Sequence, residues 1–156
     1  MSSILQEYDA RLPEHTAFCG KLENLVDDLL KVNAIRVHSI SSRVKSRESL
    51  SRKLSKDGNS YSSLADVTDV VGLRIIAYLA DDVDRIAEIL KREFLVDEVN
   101  SVDKRAILDP DRFGYLSLHH VVSLSTGRAQ LPEYRRFSHF KAELQTRSIL
   151  QHAWAE

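Results

Sequence analysis

The run VVGLRIIAYL, Val70 to Leu79, is the most apolar stretch of the chain and constrains its fold more than any other segment. It is too short to cross a bilayer and is expected to form a central strand of a sheet. Two charges intrude on it. Asp69 stands at its entrance, where an ionised carboxylate is costly unless it is solvated, paired or bound to a metal, and Arg74 lies inside the run. A buried Asp69 to Arg74 ion pair is one reading, and a functional site is the other. Residues five apart on an ideal strand face opposite ways, so the pair needs a bulge, which Gly72 could supply. Both readings stand open on the residues alone.

Neighbouring segments supply partners for that strand. Upstream, Leu22, Leu25, Val26, Leu29 and Leu30 recur at helical spacing and predict an amphipathic helix of about four turns. Val37 to Lys45 reads as a strand whose two-residue period puts Ser41, Arg43 and Lys45 on one face. Ser46 can cap a helix running to Lys56, with Leu50 and Leu54 toward the core and Ser49 one turn from Lys53. Lys56 to Ser63 is a loop by its Gly, Asn and Ser content. Downstream, Asp81 begins a helix striped by Val83, Ile86 and Leu90, and Phe94 to Val99 is the next strand. After a loop around Leu108 to Phe113, Tyr115 to Leu124 and Lys141 to Arg147 are two more strands. This order predicts an α+β fold, a mixed sheet of about five strands flanked by helices.

No repeat, low-complexity segment or linker interrupts the 156 residues. Residues 1–156 are therefore expected to form one domain, with a helical segment over about 1–34 and a core over about 35–156. The sequence stops at ILQHAWAE, helix-like and without a C-cap signal, so truncation at the C-terminus is expected. Hydrophobic residues at 43% and charged residues at 29% exclude collagen-like and disordered chains. The N-terminus has no signal-peptide pattern and the single Cys19 can form no internal disulfide, so a cytoplasmic, non-membrane setting is expected. A buried small hydrophobe suits Cys19 better than a nucleophile.

Net charge is -1, which argues against a nucleic-acid coat. Yet Arg36, Arg43, Lys45, Arg47, Arg52, Lys53 and Lys56 crowd between Ile35 and Asp57 against the single acid Glu48. That stretch is either a solvated face or an anion site. Lys141, Glu143, Gln145 and Arg147 alternate with Ala142, Leu144 and Thr146, giving one polar strand face with a carboxylate between cations; a solvent-exposed face fits equally well. Tyr115, Ser117 and His119 share another face, a set suited to a nucleoside through stacking and hydrogen bonds. Adjacent His119 and His120 point to opposite faces and cannot both ligate one metal. No P-loop, G-x-G-x-x-G or G-x-S-x-G motif occurs.

Four pieces now stand in order: RVKSRESLSRK from Arg43, DVVGLRII from Asp69, GYLSLHH from Gly114, and ELQTR from Glu143 followed by HAWAE. Together they resemble the synthetase domain of the RelA/SpoT family, in its small or toxic small alarmone synthetase form. The resemblance covers the chain from about residue 35 to its end. It implies a nucleotidyltransferase-like fold and Mg²⁺-dependent transfer of the β,γ-pyrophosphate of ATP to the 3′-hydroxyl of GDP or GTP. At the matching positions it implies ATP binding by Arg43, Lys45, Ser49, Lys53 and Arg74. Asp69 and Glu143 are implied as magnesium ligands and catalytic carboxylates. Tyr115, which stacks on the acceptor base in that family, joins His119, Gln145 and Arg147 on the acceptor side.

Many guanosine-using members carry a lysine shortly before the Gly-Tyr pair, whereas this chain has DPDRFGY with Arg112. Two alternatives follow: a toxic member acting on the tRNA 3′ end or an adenosine nucleotide, and a non-catalytic nucleotide-binding regulatory module. Candidate partners are accordingly ATP and GDP or GTP as substrates, tRNA, an antitoxin, or further copies of the chain. The His-Asp dipeptide of the bifunctional members' hydrolase domain does not occur in the sequence, so hydrolysis is not expected from this chain.

Overall fold

A computed structural model describes residues 2–56, 61–103, 117–150 and 153. Helix α1, Ser2–Val32, runs for 31 residues, far beyond the four turns expected around Leu22 to Leu30. A second apolar surface accounts for the extension. Ile4 and Tyr8 are buried, and Leu5 and Leu12 pack beside them, against Leu50, Leu54, Leu64, Val67 and Val70. Polar residues and Pro13 between these positions hide the helical period from the sequence.

Strand β1, Val37–Val44, leads into α2, Arg47–Ser55. Ser46 caps α2 as expected, its hydroxyl accepting the Ser49 N–H at 3.1 Å. A 3₁₀ turn, Leu64–Asp66, precedes β2, Val71–Ala77. Helix α3, Ala80–Glu93, has Asp81 and Asp82 in its first turn and Lys91 and Arg92 in its last, matching the helix dipole at both ends. Strand β3 is only Phe94–Val96, shorter than the expected Phe94 to Val99. Its extension ends where Asp97 turns its carboxylate onto the N–H and amide of Asn100. Then follow β4, Val102–Asp103, β5, Leu118–Leu124, a helical turn at Thr126–Ala129, a 3₁₀ turn at Arg135–Phe137, and β6, Lys141–Ser148.

The strands form one mixed sheet in the order β1-β2-β6-β5-β3, with β4 beside β5. β2 and β6 are parallel and the other pairs are antiparallel. Val71, Leu73 and Ile75 of β2, Ala142 and Leu144 of β6, and Leu118 and Val122 of β5 face a core closed by Phe18, Leu22, Val26 and Leu30 of α1 and Val83, Ile86 and Leu90 of α3. Both long helices thus cover one face of the sheet. The irregularity in β1–β2 pairing lies between Val37 and Ser39, so Gly72 makes no bulge and pairs in register with Arg43 and Glu143.

Candidate active site

Strand alternation sends every second residue to the face opposite the helices. Register then aligns these residues across four strands. Arg43, Gly72, Glu143 and Val121 form one transverse row, and Ser41, Arg74, Gln145 and His119 form the next. A cavity of about 460 Å³ opens over these rows, lined among others by Arg43, Asp69, Arg74, His119, Glu143 and Gln145. Gly72 forms its floor, where an added Cβ would stand 3.8 Å from the Glu143 carbonyl oxygen, an ordinary contact. The polar strand face read from Lys141 to Arg147 is therefore split by use. Lys141 reaches out to Asp97 at 2.9 Å, Glu143 and Gln145 line the cavity, and Arg147 is buried one row further along beside Ile76, off the cavity wall.

Asp69 is held by two lysines. Lys45 Nζ donates to its Oδ2 and Lys53 Nζ to its Oδ1, each at 3.0 Å. These bonds answer the sequence question about Arg74: Asp69 pairs with Lys45 and Lys53, while the exposed Arg74 donates from Nε to Gln145 Oε1 at 3.2 Å. Burial pushes the Asp69 carboxyl up, but the hydrogen bonds and charges of Lys45 and Lys53 together outweigh it and hold the group below its ordinary value. Burial likewise works against the charge on Lys53, and the Asp69 contact reverses it, leaving Lys53 raised. Tyr61, from the loop before the 3₁₀ turn, sets its ring 5.9 Å from Lys53 Nζ, within cation–π range. Its place in a serine-rich loop gave no periodic signal for this contact. Ser49 sits on α2 one turn before Lys53, and its hydroxyl accepts from Arg52 Nη2 at 3.1 Å.

On the neighbouring strands, His119 Nδ1 lies 2.8 Å from Glu143 Oε1. Its Nε2 lies 2.9 Å from Ser117 Oγ and 3.0 Å from Gln145 Nε2. Because Arg74 can only donate, Gln145 must turn its oxygen to Arg74 and its NH₂ to His119. The imidazole then carries its proton on Nδ1 and donates to Glu143. That hydrogen bond, against burial, holds the Glu143 carboxyl below its ordinary value. One carboxylate oxygen of Glu143 is tied to His119. His120 is buried on the core side, as the alternation requires. Tyr115 lies outside the described residues, as do Arg112 and the rest of DPDRFGY.

Among the described residues, no cluster of three His, Cys, Asp or Glu side chains is placed to hold a metal. Asp69 and Glu143 nonetheless face one cavity, and the charge of Asp69 reaches Glu143. Two carboxylates suit Mg²⁺, which commonly takes one or two protein oxygens and completes its shell with waters and substrate phosphates. Among the described residues, no helix is long and apolar enough to cross a membrane.

A family profile described as a region found in RelA / SpoT proteins matches residues 42–156. No curated protein matches the chain significantly. Among solved structures, small alarmone synthetase 2 from Bacillus subtilis is similar over 96% of this chain and 76% of its own, at 25% identity and a TM-score of 0.72. A GTP pyrophosphokinase family protein from Streptococcus pneumoniae covers 96% of this chain and 73% of its own, at 23% identity and a TM-score of 0.74. Small alarmone synthetase 1 from Bacillus subtilis, bound to its product pppGpp, covers 96% and 78% at 21% identity and a TM-score of 0.70. The mixed sheet with helical cover thus shares its fold with these synthetases.

Proposed function

The chain belongs to the RelA/SpoT family, matched over residues 42–156, and from that premise we propose that it transfers the β,γ-pyrophosphate of ATP to the 3′-hydroxyl of GDP or GTP in the cytoplasm. The observation that carries the proposal is one cavity in which Asp69 and Glu143 face Arg43 and Arg74, with Lys45 and Lys53 against Asp69. The product-bound Bacillus relative supports a guanosine acceptor.

In the proposed reaction the acceptor's 3′ oxygen bonds to the β-phosphorus of ATP, the bond from that phosphorus to the α-bridging oxygen breaks, and AMP leaves. Glu143 takes the hydroxyl proton. Its Oε1 is anchored by His119, which leaves Oε2 to face the incoming hydroxyl. Arg43 and Arg74 bind the migrating phosphates from the cavity wall. Asp69 and Glu143 are the residues that would hold Mg²⁺, which when bound would offset phosphate charge. Lys45 and Lys53, held on Asp69 beside the cavity, add positive charge on the phosphate side. Ser49 contributes from α2, Gln145 orients His119, and Tyr115, His119 and Gln145 form the acceptor side in this proposal, with Arg147 one row behind them.

Purified protein incubated with β- or γ-labelled ATP and, in parallel, GDP, GTP, ATP or bulk tRNA tests it. Label on GDP or GTP is expected. Label confined to tRNA or to an adenosine acceptor would overturn the guanosine reading in favour of a toxic type of member, and no Mg²⁺-dependent transfer at all would favour a binding module.

A further inference from the structure

Three consecutive residues of α1 reach the segments that carry the donor-side groups. Glu7 Oε1 accepts the Leu64 N–H at 2.9 Å, at the start of the 3₁₀ turn that leads to Asp69. Asp9 accepts from Arg47 Nε at 3.0 Å, at the start of α2. Between them Tyr8, 4% exposed, donates its hydroxyl to the Lys45 carbonyl at 2.7 Å. The Lys45 N–H in turn donates to the Val70 carbonyl at 2.7 Å. Lys45 is therefore clamped through both its backbone groups, on one side by the residue following Asp69 and on the other by Tyr8. Its Nζ closes the circuit on Asp69.

The part of α1 that makes these bonds is set apart from the rest. Ile4, Leu5, Tyr8 and Leu12 pack on the cluster of Leu50, Leu54, Leu64, Val67 and Val70, whereas Phe18 and the residues after it pack on the main core. Pro13 stands between the two halves and has no N–H to offer the Asp9 carbonyl, so the helical ladder is weakest there. Burial and the Asp9 carboxylate push the Tyr8 phenol up against a smaller pull from Arg47, so it remains a donor at neutral pH.

We propose that Tyr8 is a positioning residue for the donor side, and that the N-terminal half of α1, bounded by Pro13, sets the placement of Lys45 against Asp69. This rests on the reading of Lys45 and Asp69 as ATP-side groups. Tyr8 does not line the cavity, so it acts only through the Lys45 backbone.

The Tyr8→Phe variant keeps the buried ring and removes only the donor. Binding of a non-hydrolysable ATP analogue with Mg²⁺ and of GDP is measured by calorimetry, alongside KM for each substrate and amide exchange at Lys45 and Gln145. Loss of one buried hydrogen bond is expected to weaken analogue binding and raise the ATP KM by about five- to ten-fold, with GDP binding unchanged. Exchange at Lys45 should quicken while that at Gln145 stays the same. Equal losses for both nucleotides would mean a merely structural role and overturn the proposal, as would wild-type values throughout. If the unaltered protein binds no ATP analogue, the donor reading fails and this inference with it; if it binds and Tyr8→Phe binds equally, only the inference fails. Should Tyr8→Phe fold poorly, Glu7→Gln, which weakens the adjacent Leu64 tether, must give the same ATP-selective loss for the proposal to stand.

Discussion

Lys45, Lys53 and Asp69 are carried by a strand end, a nine-residue helix and a short connection, all resting on the satellite cluster around Leu50 and Val70. Glu143, Gln145 and His119 stand instead on β6 and β5, paired strands in the middle of the sheet above the main core. Strand pairing fixes the spacing of the second group at about 4.8 Å per strand, with continuous ladders on both sides of β6. Side-chain packing and a few long-range hydrogen bonds place the first group. The two halves of one cavity thus differ in what must break to move them. Opening the satellite cluster displaces Lys53 and Asp69 while the sheet stays whole, whereas displacing Glu143 requires disrupting the sheet.

The comparison is tested most severely by exchanging the two carboxylates. Glu143→Gln is expected to lower kcat by about 10²- to 10⁴-fold, the range for removing a general base, and to weaken binding of the ATP analogue less than Asp69→Asn does. Asp69→Asn is expected to abolish Mg²⁺-dependent analogue binding itself. Identical binding and kcat profiles for the two variants in calorimetry and steady-state assays would erase the distinction.

A smaller effect separates the two supports. Leu50→Ala and Leu144→Ala each remove a fully buried leucine, at a cost of about 2–5 kcal/mol. Leu144→Ala should lower the urea midpoint of the whole domain. Leu50→Ala should appear mainly as faster amide exchange in α2 and weaker ATP binding. Parallel losses in both measurements would show that the clusters open as one.

The smallest expected effect lies in pH. Asp69 and Glu143 have folded-state values below their ordinary ones, so each adds stability that is present above the unfolded value, about 3.9 for Asp and 4.3 for Glu, and is lost as pH falls through the folded value. Lys53 is raised, so its contribution is present below about 10.4 and lost as pH rises through the folded value. The donor side should therefore loosen at both ends of the pH range and the base side only at the acid end. Site-resolved amide exchange across pH checks this, and alkaline loosening around Glu143 would contradict it.

What the sequence made legible follows the same division. The transverse rows over the sheet could be anticipated because alternation in β2 and β6 is local, so the faces of Arg74, Glu143 and Gln145 follow from counting by two. Ser46 was readable as a cap for the same local reason. The contacts that hold Asp69 were harder. Lys45 and Lys53 are 24 and 16 residues away, and only the fold decides between them and Arg74 as partners. The N-terminal half of α1 escaped notice because its apolar residues serve a separate cluster and Pro13 breaks the pattern. Arg147 shares the parity of Glu143 and Gln145, yet parity carries no information about how far along the strand the cavity extends.

The parallel pairing of β2 with β6 joins an early strand to the last strand among the described residues. Chains emerge from the ribosome N-terminus first, and domains fold in that order as they appear. The segments that carry Lys45, Lys53 and Asp69 are all synthesised before the one that bears Glu143 exists. The sheet's middle position stays vacant until β6 has been made. Under the proposed reading, chains stopped before β6 carry the donor lysines and Asp69 and have no carboxylate to activate an acceptor, so synthesis itself delays activity until β6 has joined the sheet.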